Sequence, residues 1–123
     1  MDCKDLMIGD FVYVARGYDK HLTIEKVKGI IADKDEPYPV TIFTGETVSL
    51  NDIEAIPLTE EILVKNGWRK EPITIDGDYA DWYGEIPICQ EEDEFNYERI
   101  ELTYVHTLQH LLRLCGIEKE LTI

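Results

Sequence analysis

Val105, Leu108, Leu111, Leu112 and Cys115 recur at intervals of three and four, the spacing that gathers side chains on one face of a helix. The pattern predicts a helix over 105–115, capped by Thr103 and stopped by Gly116, with Ile117 folded back onto Leu112. His106, His110 and Arg113 fall opposite Leu108, Leu111 and Cys115, which places them on its polar face. Three turns do not hold themselves in water, so the apolar face needs a sheet to pack against.

Period-two alternation supplies the strands. Phe11 faces one way and Val12 and Val14 the other, after a strand-entry turn at Gly9-Asp10. Leu22, Ile24 and Val27 follow, and Gly29, an isolated glycine in a strand pattern, marks a bulge or bend before Ile30-Ile31-Ala32. DKDEPYP is a loop, VTIF a strand, and Gly45-Glu46 a tight turn into Thr47–Leu50 and then IEAIP. Short β segments separated by bends predict a small SH3-like or OB-like β-barrel over residues 1–57, with a curled meander as the competing arrangement.

The remainder, 58–123, reads as an α+β half sharing one core with the first. In PLTEEILVKNGW, Thr59 is an N-cap, Glu60 and Glu61 sit at the positive end of the helix dipole, Leu58 can staple onto Leu63, and Asn66-Gly67 stops the helix. Trp68 then covers a core edge. Ile73–Ile75, a turn at Asp76-Gly77 and a return strand from Tyr79 to Tyr83 form a hairpin. Ile86-Pro87-Ile88-Cys89 is an edge connector, QEEDE a solvated acidic loop, and Tyr97 to Tyr104 one alternating strand that leads into the main helix. The tail returns as a last strand with Leu121 and Ile123 inward. The fold class is therefore α+β, a small barrel-like half followed by an antiparallel sheet packed on one main helix.

Composition narrows the class further. The chain of 123 residues is 44% hydrophobic and 31% charged, and no apolar run approaches the roughly 20 residues of a membrane span. Acids at positions 2 and 5 stand where a secretory signal would be basic, which points to the cytoplasm. Cys3, Cys89 and Cys115 fit neither a disulfide framework nor a zinc knuckle and are expected as free, mostly buried thiols. With 26 acids against 12 bases the net charge is −14, a field that repels phosphate backbones and anionic lipids and attracts basic partners.

Three side-chain groups are candidates for chemistry. His106 and His110 have the spacing of a helical metal pair, but TLQ lies between them without the glutamate of a zinc protease, and Arg113 lies one turn on. Asp76, Asp78, Asp81 and Glu85 do not complete a calcium loop, because Ala80 and Asp81 occupy its fifth and sixth places. Neither group predicts a metal, no cofactor is expected, and no nucleophile or glycine-rich phosphate loop points to an enzyme. Tyr79, Trp82, Tyr83, Phe95 and Tyr97 concentrate aromatics around acids, the composition of a protein-binding patch. The candidate surface is Tyr79, Trp82 and Tyr83 with Glu91, Glu92, Asp93 and Glu94 as its rim.

MIGDFVYV, IEAIPLTEEILVKNGW and YVHTLQHLLRLCGIEKEL together resemble a group of small uncharacterised proteins of bacterial prophages and mobile elements, which share LTEEILxKxGF-like and YVHxLQN-like blocks. Here Trp68 replaces the usual phenylalanine and His110 stands where asparagine is common. The resemblance implies a mobile-element context and no particular activity. The function expected is a non-catalytic acidic module that binds a basic protein, without direct nucleic-acid or membrane contact. The alternative is a decoy that mimics DNA and occupies a DNA-binding protein of the host.

Overall fold

The computed structural model describes residues 5–31, 33, 35–75 and 77–123, and the chain divides into two compact units, Met1–Ile56 and Pro57–Ile123. The first unit is an antiparallel sheet of five strands, β1 (Phe11–Arg16), β2 (His21–Ile30), β3 (Val40–Ile42), β4 (Thr47–Val48) and β5 (Ile53–Ala55), in the order β4-β3-β2-β1-β5. β2 is long enough to serve both ends. Its first half pairs with β1, from Arg16↔His21 to Phe11↔Lys26, and its second half pairs with β3, from Val27↔Ile42 to Ile30↔Val40. The register shifts between Val27 and Gly29, so the glycine does mark the bulge that lets the strand turn from one partner to the other. Among the described residues no pairing joins β4 to β5, so the sheet is open and not closed into the expected barrel.

Alternation decides the core of this unit. Val12 and Val14 of β1 point inward with Val27, Val40, Ile42, Val48 and Ile53 to form one apolar cluster. Gly9, at φ 94°, donates to Val27 O at 2.8 Å, and the buried Asp10 carboxylate accepts the Met7 amide at 2.8 Å, so the entry turn is tied to β2. A short 3-10 turn, Leu50–Asp52, capped by Ser49, leads into β5.

The second unit contains α1 (Glu60–Lys65), β6 (Arg69–Ile75), β7 (Asp78–Tyr83), β8 (Cys89–Glu91), β9 (Glu94–Tyr97), β10 (Ile100–Glu101) and α2 (Val105–Leu114). Instead of one sheet there are two ladders, β6-β7 and β10-β9-β8, linked by an isolated bridge between Trp82 and Ile88. Pro72 sits where the β6-β7 register shifts, between Lys70 and Ile73, a position at which a missing amide is tolerated. The tight turn between Ile75 and Asp78 holds Gly77 at φ 85°; Asp76 lies outside the described residues.

Both helices end the same way. At α1 the amides of Gly67 and Trp68 return to Val64 O and Leu63 O, and at α2 those of Gly116 and Ile117 return to Arg113 O and Leu112 O. Gly67 at φ 94° and Gly116 at φ 72° occupy the left-handed position that these two paired bonds require. The N-terminus of α1 is as expected: Thr59 Oγ1 accepts the Ile62 amide at 3.3 Å, and Leu58 and Leu63 are both buried. The start of α2 is not. Tyr104, with no side-chain cap bond, holds the N-cap position, and the entry is fixed instead by a bridge to Pro57 and by Leu58 N donating to Thr103 O at 3.0 Å.

The face of α2 is also wider than the apolar spacing suggests. His106 and Gln109 are buried beside Val105, Leu108, Leu111 and Leu112, whereas Cys115 is exposed just past the last turn. His106 stacks on Tyr104 with the planes 8° apart, and His110 meets it edge to face. The expectation of His106 on a polar face is therefore corrected, as is that of mostly buried thiols: Cys89 is half-buried, Cys115 exposed, and Cys3 lies outside the described residues.

The C-terminal tail forms no strand. Asn66 holds it by pairing with the backbone of Thr122 on both sides, Nδ2 donating to its carbonyl at 2.7 Å and Oδ1 accepting its amide at 2.6 Å. The side chain acts as one residue of a partner strand. Asn66→Ala is expected to cost about 1–3 kcal/mol through the two backbone groups left unpaired, measured as a lower urea midpoint. Asn66→Asp, which keeps the acceptor and loses the donor, should retain part of that stability; equal midpoints for all three proteins would show that the pairing contributes nothing.

Candidate functional site

The alternation of β7 sorts the candidate aromatics onto two sides. Tyr79 and Tyr83 face solvent, at 58% and 46% exposure, with Asp81 between them, while Ala80 and Trp82 point inward, Trp82 with only 1% of its surface accessible. Trp82 is therefore a core residue and not the surface anchor expected of it. Its ring meets Phe95 edge to face at 6.4 Å, and its Nε1 donates to Gln90 Oε1 at 2.8 Å.

β6 and β8 set the geometry around the two tyrosines. Register places Arg69 opposite Tyr83 and Thr74 opposite Tyr79, and the Arg69 guanidinium lies over the Tyr83 ring, 5.4 Å from its centroid. On the other side, Cys89 Sγ lies 3.2 Å from Tyr79 O, and the Gln90 amide donates to Asp81 Oδ2 at 2.7 Å. The neighbouring Asp81 carboxylate, first as a hydrogen-bond acceptor that favours the protonated phenol, then with desolvation and its negative charge, pushes Tyr79 above its ordinary pKa.

QEEDE is a hairpin rather than a loop. β8 and β9 pair as Cys89↔Asn96, Gln90↔Phe95 and Glu91↔Glu94, leaving Glu92 and Asp93 as the turn. Two features oppose this hairpin locally. Glu91 and Glu94 are like charges directly across the ladder, and Glu92 takes φ 58°, a left-handed conformation uncommon outside glycine, asparagine and aspartate. Gln90 secures the tip, since its Nε2 donates to Glu92 O at 2.9 Å while its Oε1 accepts from Trp82. All four acids from Glu91 to Glu94 are exposed, and among the described residues none of them is in an ion pair.

The bases of the unit are occupied differently. Lys70 bridges to Glu60 at 2.6 Å and lies 5.9 Å from the Trp82 ring centroid, and its hydrogen bond holds Glu60 below the usual carboxylate range. Lys119 pairs with Glu85 and lies over Trp68. Glu60 and Glu85 are thus paired, whereas the four acids of the β8-β9 tip have no ion pair among the described residues. Asp81, Gln90 and Arg69 complete the site. The alternation of β7 could have pointed to Asp81, whereas nothing in the sequence singles out Gln90.

Among the described residues no three of His, Cys, Asp and Glu are gathered as a metal ion would need. No helix among them is long and apolar enough to cross a membrane. No family model matches the chain, and neither does any curated protein or solved structure.

Proposed function

We propose that the chain is an acidic protein-interaction module, of the kind a mobile element carries as an accessory, that binds a basic protein through the solvent face of β7. The observation that carries this reading is the placing of two exposed tyrosines, Tyr79 and Tyr83, beside a hairpin tip of four acids that have no ion pair among the described residues. Tyrosine supplies contact area at low conformational cost, and the acids steer a basic surface toward it. A hairpin that keeps like charges opposite each other and a glutamate at positive φ is what selection for a binding surface, rather than for stability, would leave. The strand order of the first unit, with β2 shared between its two ends and a 3-10 turn before β5, supports an SH3-like arrangement for that half.

The test is a comparison of variants on a captured partner. Tyr79→Ala with Tyr83→Ala is expected to abolish retention, while Glu91→Gln with Glu92→Gln slows association and reduces its salt dependence without abolishing it. If the glutamine changes abolish binding, the tyrosine changes leave it intact and duplex DNA competes for the same surface of the partner, the DNA-mimic reading replaces this one.

A further inference from the structure

Resting on that reading, we infer that the face takes an arginine of the partner, presented on an extended segment, with its guanidinium laid on Tyr79 and its hydrogen bonds given to carboxylates of the β8-β9 tip. The protein already contains the interaction once. Arg69, on the strand opposite, lays its guanidinium over Tyr83. Tyr79 and Tyr83 stand four residues apart on the same side of one strand, so their rings repeat at about 13 Å along it. The Tyr83 position is filled from within, by Arg69. Tyr79 is 58% exposed, and no cation–ring contact is formed at it among the described residues.

Charge selects the ligand. Beside Tyr79, where Cys89 joins β8 to it, the ladder runs directly into Glu91 and then to Glu92, Asp93 and Glu94, all exposed and, among the described residues, without an ion pair. A guanidinium can do two things there at once: stack its plane on a ring and donate two parallel hydrogen bonds to a carboxylate. A lysine ammonium is more strongly hydrated and has no plane to stack, so it gains only the charge. A phosphate or other anion is repelled by the same four acids. An extended segment fits because its side chains on one face repeat at the pitch of β7 itself.

The probe is a pair of short synthetic peptides, blocked at both ends, of alternating threonine and serine with one central arginine or, in the matched version, lysine. Binding to the full chain is followed by chemical-shift perturbation at fixed ionic strength. The arginine peptide is expected to bind about fivefold more tightly than the lysine peptide. That preference should vanish in Tyr79→Ala and persist in Tyr79→Phe, which keeps the ring. Arg69→Ala, which vacates the Tyr83 ring, should let a peptide with two arginines four residues apart bind more tightly than it binds the unmodified protein. Equal binding of the two peptides, or no binding of either, overturns the arginine assignment. The module reading is judged separately by partner capture: it survives if Tyr79→Ala still releases the captured partner, and falls with the assignment if Tyr79→Ala changes neither experiment.

Discussion

Gly84→Ala is expected to destabilise the second unit by about 3 kcal/mol or more, a large fraction of the stability of a small domain. A β-carbon at Gly84 would lie 2.3 Å from both Cδ1 and Nε1 of Trp68 and 2.7 Å from Cε2, closer than atoms can approach. The indole cannot step aside cheaply. Its Nε1 donates to Ile86 O at 3.0 Å, its backbone amide closes the α1 stop at Leu63 O, and only 1% of its surface is accessible. Urea unfolding followed by tryptophan fluorescence measures the loss. Combining Gly84→Ala with Trp68→Leu should recover part of it, since the two changes share one contact and cannot be additive. A midpoint within experimental error of the parent protein would show that the glycine is there for another reason.

Trp82→Ala is expected to cost about 3–5 kcal/mol, the range for emptying a buried tryptophan site. Part of that cost is chemical rather than volumetric, because Gln90 Oε1 loses its indole donor, the bond that positions the side chain securing the acidic tip. Tyr79→Ala, on the outer side of the same strand, should stay within about 0.5 kcal/mol of neutral. The pair of measurements separates the two sides of β7. If both variants unfold at similar urea concentrations, either Trp82 is not in the core or Tyr79 is not on the surface.

The contrast also shows where the sequence was legible. Wherever a residue type has one dominant local use, sequence and structure agree: Thr59 caps α1, Gly67 and Gly116 stop the two helices, and Gly29 bends β2. The turns at Glu92-Asp93 and Glu98-Arg99 carry no such signal. Glutamate stands at φ 58° in the first and φ 56° in the second, so a loop was expected in one place and an unbroken strand in the other. Alternation from Tyr97 to Tyr104 is genuine in the sequence, but the chain reverses within it and leaves Ile100 and Tyr104 exposed while Leu102 is buried.

Burial on α2 was misjudged for a different reason. A wheel drawn from hydropathy alone gives the narrowest apolar stripe, whereas Gln109 at its margin and His106 well outside it are both covered, because the first turns of the helix are enclosed more widely than its end. Cys115 continues the spacing beyond the point where packing stops. At the candidate site, Tyr79 and Tyr83 lie on β7 and the acids from Glu91 to Glu94 on the β8-β9 hairpin that adjoins it. The choice of Trp82 failed because aromatic content does not say which parity of a strand faces inward.

The position of β1 in the first unit sets an order of assembly. It is flanked by β2, its immediate successor in the chain, and by β5, the last strand of the unit. Bringing β1 and β2 together closes a short loop, whereas bringing β5 to β1 closes a loop that contains nearly all of the unit and carries a larger entropic cost. Topology therefore favours growth outward from a local hairpin, with β3 and β4 added along the bent β2 and β5 docking as a latch. A strand that docks last on three residue pairs, Val12↔Ala55, Tyr13↔Glu54 and Val14↔Ile53, is also the one whose release first exposes Val12 and Val14 to water.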